Sequence, residues 1–228
     1  MGTKFCVSGH GRVVEAIFSA QRAGLLELDE ASVLVDRPDL FRPTAEAYGI
    51  AVDIVDRSGF PNRDDFRDAL GKHLIDSTAD SLFLTFDWLL PRGVVRRFEG
   101  RIVNLHMALL PLFRGKGAIE QAAASGMTIA GVTYHIVDDG MDTGPIIAQA
   151  IHPIGGMTPK ALGLALFRRA VPLGIQVMRW IETARLLNPP HPHAVTGATL
   201  SDGPFFPDID EDIMDFAAHY LRAKFNVD

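Results

Sequence analysis

Residues 101–149 read RIVNLHMALLPLFRGKGAIEQAAASGMTIAGVTYHIVDDGMDTGPIIAQ. A short apolar strand ends in Asn104-Leu105-His106. Successive side chains on a strand point to opposite faces, so Asn104 and His106 share one. A second strand is predicted over 129–137 (IAGVTYHIV), where β-branched residues are frequent. The turn that follows, Asp138-Asp139-Gly140-Met141-Asp142-Thr143-Gly144, leads into an apolar run from Pro145 to Ile151. An amide, an imidazole and the carboxylate of Asp142, set on strand ends and loops, suit acid–base chemistry at a carbonyl. His135, in mid-strand beside Tyr134, reads as a structural histidine.

Upstream, Lys4 to Ser8 is a short apolar strand, followed by Gly9-His10-Gly11 and a helical pattern from Val13 to Gly24. Strand, glycine turn and helix open a Rossmann-like α/β unit, and the free N–H groups of the helix start suit an anion. Gly-x-Gly lacks the third glycine of a dinucleotide fingerprint, so a tight turn without a ligand is the alternative. Further strands are predicted over 31–36, 50–55 and 81–86. Helices are predicted over Pro43 to Tyr48, Arg63 to Thr78 and Gly93 to Phe98. Asp36 reads as a loop cap rather than a ligand to a substrate hydroxyl. Ser81 to Phe86 is almost continuously apolar, which suits the centre of a parallel sheet covered on both faces.

Downstream, Thr158-Pro159 is a helix-start signal. The helix is predicted to run toward Leu187 and to kink or break at Pro172, which lacks an N–H. Residues 188–207 are rich in Pro, Gly, Ser and Thr and read as a loop or linker. His191 and His193 lie in it with no cysteine or carboxylate nearby to complete a metal set. Asp210 to Phe225 carries a clear apolar stripe. It either packs back on the domain or forms a homodimer contact. The expected fold class is α/β, with a mostly parallel central sheet flanked by helices and a short C-terminal extension ending in a helix. The expected division is a catalytic domain over 1–187 and a linker plus amphipathic helix over 188–228.

Of the 228 residues, 47% are apolar and 22% charged, with a net charge of -6. That balance belongs to an ordinary globular chain, long enough to bury a core. The negative charge argues against a nucleic-acid partner, since phosphate binding needs clustered Lys and Arg. Cys6 is the single cysteine, so neither an intramolecular disulfide nor a cysteine-based metal site is expected. No leader opens the chain and no run reads as long and apolar enough to cross a bilayer, so no membrane partner and a cytoplasmic location are expected.

Three elements in order carry a family resemblance: Asn-x-His, then x-x-Leu-Leu-Pro-x-x-Arg-Gly, then Met-Asp-x-Gly-Pro-Ile-Ile. Together they resemble the 10-formyltetrahydrofolate-dependent formyltransferases, which include the glycinamide ribonucleotide, methionyl-tRNA and amino-sugar enzymes. The similarity is strong from about Leu82 to Gln149 and thin elsewhere. It implies a Rossmann-like formyltransferase fold with Asn104, His106 and Asp142 as catalytic residues. It implies 10-formyltetrahydrofolate as formyl donor and no metal. Phe86, Trp88, Leu89 and Leu90 would form one wall of the pterin pocket, and Val137, Asp138, Asp139, Gly140 and Met141 the folate loop. Gly9, His10, Gly11, Arg12 and Arg114 would meet the substrate.

The acceptor implied is the amino group of a small molecule: glycinamide ribonucleotide, an amino sugar or an amine of specialised metabolism. Alternatives are a 10-formyltetrahydrofolate hydrolase and a non-catalytic folate-binding homologue. The chain departs from the family at Met107-Ala108, where Pro-Ser is usual. Gly9-His10-Gly11-Arg12-Val13 replaces the Gly-Asn-Gly-Ser-Asn-like loop of the glycinamide ribonucleotide enzymes. Arg168 and Arg169 stand on the long helix where acidic and polar positions would hold that substrate's amine.

Overall fold

Thr3–Val7 forms β1 and is buried at every position, which places it inside a sheet covered on both faces. The computed structural model describes residues 2–28, 30–186 and 202–225. The other strands are β2 (Ser32–Val35), β3 (Val52–Ile54), β4 (Ser81–Thr85), β5 (Ile102–His106), β6 (Ile129–Ile136), β7 (Ile146–Pro153) and β8 (Phe205–Phe206). They build one sheet in the order β3-β2-β1-β4-β5-β6-β7-β8. The first five run parallel. β6, β7 and β8 follow antiparallel at the other edge. The mostly parallel sheet expected from the sequence is therefore present.

The strand period of two sorts the core into two layers. Phe5, Val7, Phe83 and Val103 pack on one side with α1 (Arg12–Arg22), α6 (Pro159–Glu182) and α7 (Glu211–Phe225). Cys6, Leu34, Leu82, Leu84 and Ile102 pack on the other with α3 (Arg63–Ile75) and α4 (Arg92–Arg97). Asn104 and His106 have the parity of Ile102, so they extend the second face past its last apolar residue.

Three helical expectations change. The helix predicted from Pro43 instead begins at Pro38 and runs to Tyr48 as α2, with Pro43 inside it. Pro38 takes the first turn, where its missing N–H costs nothing, and burial of Phe41 draws the preceding residues in. α6 is unbroken from Pro159 to Glu182 although it contains Pro172. Pro172 is buried among Val171, Leu173 and Ile175, so packing on both sides holds the backbone course that the proline alone disfavours. At 24 residues, α6 is also long and apolar enough to span a bilayer, contrary to the sequence reading. Its apolarity is that of a core helix, with residues 170–178 all buried.

The last helix packs back on the sheet layer. Ile213, Ala217, Tyr220 and Leu221 of α7 join the core of α1 and α6. Asp210, just before α7, accepts from Arg179 Nη1 at 2.8 Å, and its own N–H donates to the buried Gln176 side chain at 2.7 Å. Arg179 also donates to both carboxylate oxygens of Asp212. At the far end Lys224 pairs with Glu15 of α1 at 2.7 Å. The 187/188 boundary, His191 and His193 lie outside the described residues.

Tyr134 on β6 is fully buried and donates through its hydroxyl to the Ala170 carbonyl at 2.9 Å. A Cβ at Gly174 would stand 2.5 Å from that hydroxyl. Gly→Ala in a helix interior ordinarily gains about 0.5–1 kcal/mol. Overpacking costs about 1–3 kcal/mol, and the hydroxyl is held by its own bond, so the clash should win. Gly174→Ala should lower the urea midpoint, and adding Tyr134→Phe should restore part of the loss.

Candidate active site

Asn104 and His106 stand at the end of β5, where the apolar strand gives way to a loop. His106 is 7% exposed, so its partners are decided by the protein. Its Nε2 lies 2.8 Å from the Phe113 carbonyl, and its Nδ1 lies 3.4 Å from Asp142 Oδ2. Both ring nitrogens face acceptors, an arrangement that a doubly protonated ring satisfies on both sides. The Gly115 N–H donates to Asp142 Oδ2 at 2.8 Å. Asp142 therefore ties the loop after β5 to the turn after β6.

That turn needs unusual backbone. Asp142 and Phe113 both adopt positive φ, at 52° and 55°, a region rare for residues with a side chain. Each presents a polar atom to His106. Gly144 cannot be replaced, because a Cβ there would run into the Ile136 carbonyl oxygen. Asp138 holds the turn from within, its Oδ1 accepting from the Gly140 N–H at 3.0 Å and from the Thr143 hydroxyl at 2.7 Å.

His135 lies beside Asn104, buried and hydrogen-bonded through both ring nitrogens, in keeping with the structural histidine the sequence suggests. It pairs with Asn104 in the β5–β6 register and so shares its face. Its Nδ1 lies 2.9 Å from the Ile136 carbonyl, which can only accept, so Nδ1 carries the hydrogen. In the neutral ring Nε2 then accepts from Asn104 Nδ2, 3.1 Å away. The same Nε2 is 3.5 Å from Asp142 Oδ1. The shorter contact governs the neutral ring and orients the Asn104 amide, leaving its second N–H free to serve another acceptor. No sequence motif points to His135; only the pairing of the two strands does.

Burial works against the charge of Asp142. A hydrogen bond from His135 Nε2 in the doubly protonated ring, the Gly115 N–H and the charge of His106 outweigh it and hold the carboxyl pKa at about 2. The site thus combines a fixed amide donor, an imidazole between two acceptors and a permanent carboxylate. Such a set can hold developing negative charge on oxygen and pass a proton.

The remaining candidate residues fall in three places. Val137, Asp138, Asp139 and Gly140 line a cavity of about 880 Å³ flanked on its other side by Val95 and Arg96 of α4 and by Glu99 just after it. Met141 is half exposed, with its sulfur against Gly115. Phe86, Trp88 and Leu90 pack against the α3–α4 core and do not line that cavity, while Leu89 is exposed. Trp88 donates through its indole N–H to the buried Asp36 carboxylate at 2.6 Å, and Lys116 Nζ lies 5.9 Å from its ring. Asp36 also accepts from Ser8 at 3.0 Å, so it ties together the ends of β1, β2 and β4. Gly9, His10 and Gly11 form the turn into α1, with Gly11 as left-handed N-cap. Arg12 and Arg114 are exposed, and the Arg12 guanidinium lies over the Phe225 ring at 5.6 Å. Among the described residues no His, Cys, Asp and Glu group could hold a metal ion.

The family model described as "Formyl transferase" matches residues 3–161, and the chain belongs to that family. Over 150 residues it is 34% identical to the phosphoribosylglycinamide formyltransferase of Bacillus subtilis (strain 168), covering 64% of this chain and 77% of that protein. Over 152 residues it is 34% identical to the trifunctional purine biosynthetic protein adenosine-3 of Drosophila pseudoobscura pseudoobscura, covering 65% of this chain and 11% of that protein. The fold matches glycinamide ribonucleotide transformylase 1 from Symbiobacterium toebii with a TM-score of 0.75 and 30% identity, over 82% of this chain and 90% of that one.

The depressed Asp142 pKa has a direction in stability. The carboxylate is ionised more readily in the folded chain, so its contribution is full above the ordinary value of 3.8 and is lost as pH falls through about 2. Asp142→Asn should cost about 2 kcal/mol at neutral pH, and the gap to the parent chain should close between those two values. Urea titrations of both proteins across that acid range measure it.

Proposed function

We propose that this formyl transferase moves the formyl group of 10-formyltetrahydrofolate to the amino group of a small molecule, with glycinamide ribonucleotide as the first candidate acceptor. The observation that carries the reading is the convergence of Asn104, His106 and Asp142, with His135 orienting the amide. The names of the similar proteins support the acceptor. The Gly9-His10-Gly11-Arg12 turn and the arginines of α6 depart from what that acceptor would predict, so its identity is the finer part of the proposal.

The amine attacks the formyl carbon and the carbonyl oxygen becomes an oxyanion. The free Asn104 N–H and the His106 ring donate to it. The attacking nitrogen must lose a proton and the departing folate nitrogen must gain one. A base works best with a pKa near the working pH. A carboxyl held at about 2 is a poor proton store. Asp142 therefore acts as the fixed charge facing His106, and the proton moves through the imidazole or through water. The cavity against α4 lies beside the 137–140 turn and has the volume for a bicyclic ring system.

Removing one oxyanion donor typically lowers kcat by about 10²–10³-fold. Asn104→Ala and His106→Ala should each fall in that range while retaining the parent's unfolding midpoint within the scatter of surface variants. The assay is 10-formyltetrahydrofolate turnover against glycinamide ribonucleotide and a panel of amines, with a control lacking any amine. Amine-dependent release of tetrahydrofolate with a formylated product supports transfer. Equal release without amine would replace it with hydrolysis, and folate binding without release would leave a binding protein.

A further inference from the structure

The loop after β5 carries two contacts on which the site depends, the Phe113 carbonyl at His106 and the Gly115 N–H at Asp142. The loop itself is held by two side chains that take no part in the chemistry above. The ladder sets His106 beside Thr133 of β6, and Thr133 beside Gln149 of β7. Residues directly opposite on neighbouring antiparallel strands share a face, so the three stand in one row across the sheet. Thr133 is fully buried and Gln149 half-buried.

Both side chains grip the loop backbone. The Thr133 hydroxyl donates to the Ala108 carbonyl at 2.8 Å and accepts from the Leu110 N–H at 3.0 Å. The Gln149 amide nitrogen donates to the Leu110 carbonyl at 2.8 Å and to the Thr133 hydroxyl at 3.0 Å. A hydroxyl has one hydrogen and two lone pairs, and an amide nitrogen has two hydrogens, so all of them are engaged. Leu110 is thereby held through both of its polar backbone groups. The Leu112 N–H donates to the Leu109 carbonyl at 3.0 Å, which closes the turn that follows. Phe113 and Gly115 come directly after that turn, so a displacement of Leu110 passes along the chain to both.

We infer that Thr133 and Gln149 are positioning residues for formyl transfer, a role that rests on the function proposed above: together they clamp Leu110, and so set the Phe113 carbonyl against His106 and the Gly115 N–H against Asp142. They act through the loop and not on the substrate. A misplacement of about 1 Å at a reacting centre can cost about 10²-fold in rate. The clamp is made by the hydroxyl of Thr133: serine keeps those hydrogen bonds, whereas valine keeps the shape and none of them. An unmet donor or acceptor is costly where it is buried. Loss of either member therefore leaves the other, and Leu110, short of a partner.

The test compares Thr133→Val, Thr133→Ser, Gln149→Leu and Thr3→Val with the parent chain. Thr3 shares a buried hydrogen bond with Ser81 at 2.9 Å, at the end of the parallel strands away from the site, so its valine variant removes a buried bond without touching the loop. In Thr133→Val and Gln149→Leu, kcat should fall by about 10- to 100-fold while KM for 10-formyltetrahydrofolate changes little. Thr133→Ser should keep most of the parent's kcat, and Thr3→Val all of it. The Gly115 amide resonance, read without folate or amine, should shift and exchange faster in the two impaired variants and stay in place in the other two. Gln149 is only half-buried, so its variant carries the comparison should the Thr133→Val chain fail to fold. A Gly115 amide unmoved in both impaired variants overturns the clamp whatever the chain's activity. So does a serine variant as slow as the valine one, or an equal loss of kcat in Thr3→Val. A parent chain that formylates no amine would end the transfer reading and with it the catalytic role, while the Gly115 amide still reports whether the clamp holds the loop.

Discussion

One carboxylate holds the centre of this protein together. Asp142 takes the Gly115 N–H on one oxygen, which also faces His106, and turns the other toward His135. Those three residues come from the loop after β5, the end of β5 and the end of β6. Without the carboxylate the turn at 138–144 would have no reason to hold Asp142 and its neighbours in left-handed and crowded backbone. The charge is kept by donors that outweigh its burial, and the same donors define the shape of the site. Folding of the loop and preparation of the chemistry are thus one event.

The sheet explains why that event can be local. β1 to β5 are parallel and covered on both faces, so their apolar residues carry the stability and leave the strand ends free for polar ones. β5 lies at the change from parallel to antiparallel pairing. β6 therefore returns alongside it, and His135 is set beside Asn104 by register alone. The paired strands then fix the Asn104 amide against that ring. Asp36 plays a comparable part at the ends of β1, β2 and β4, where it gathers Ser8 and Trp88.

The opposite face has its own logic. α6 is apolar for most of its length because it crosses the hairpin of β6 and β7 beneath α7, not because it meets lipid. α7 is latched at its start by Arg179 and at its end by the Lys224–Glu15 pair. The C-terminal helix thus completes the α1–α6 layer.

Much of this was legible in the sequence. The apolar runs with glycine turns marked the strands, and the two-residue spacing of Asn104 and His106 placed them on one face. The chain of Leu-Leu-Pro-x-x-Arg-Gly and Met-Asp-x-Gly-Pro identified the family. These signals are local, because strand period, turn chemistry and motif order are properties of neighbouring residues. The partner of His135 depends on which residue pairs across the ladder, so no local signal could supply it. The bond from the Trp88 indole N–H to Asp36 joins two strand ends far apart in the chain and is likewise not written locally. Pro172 should end its helix by its own chemistry, and burial against distant elements overrode it. The sequence alone therefore determined the elements, the family and the candidate polar groups; only the tertiary structure decided their partners, because a hydrogen bond or a buried contact between residues far apart in the chain leaves no periodic trace along it.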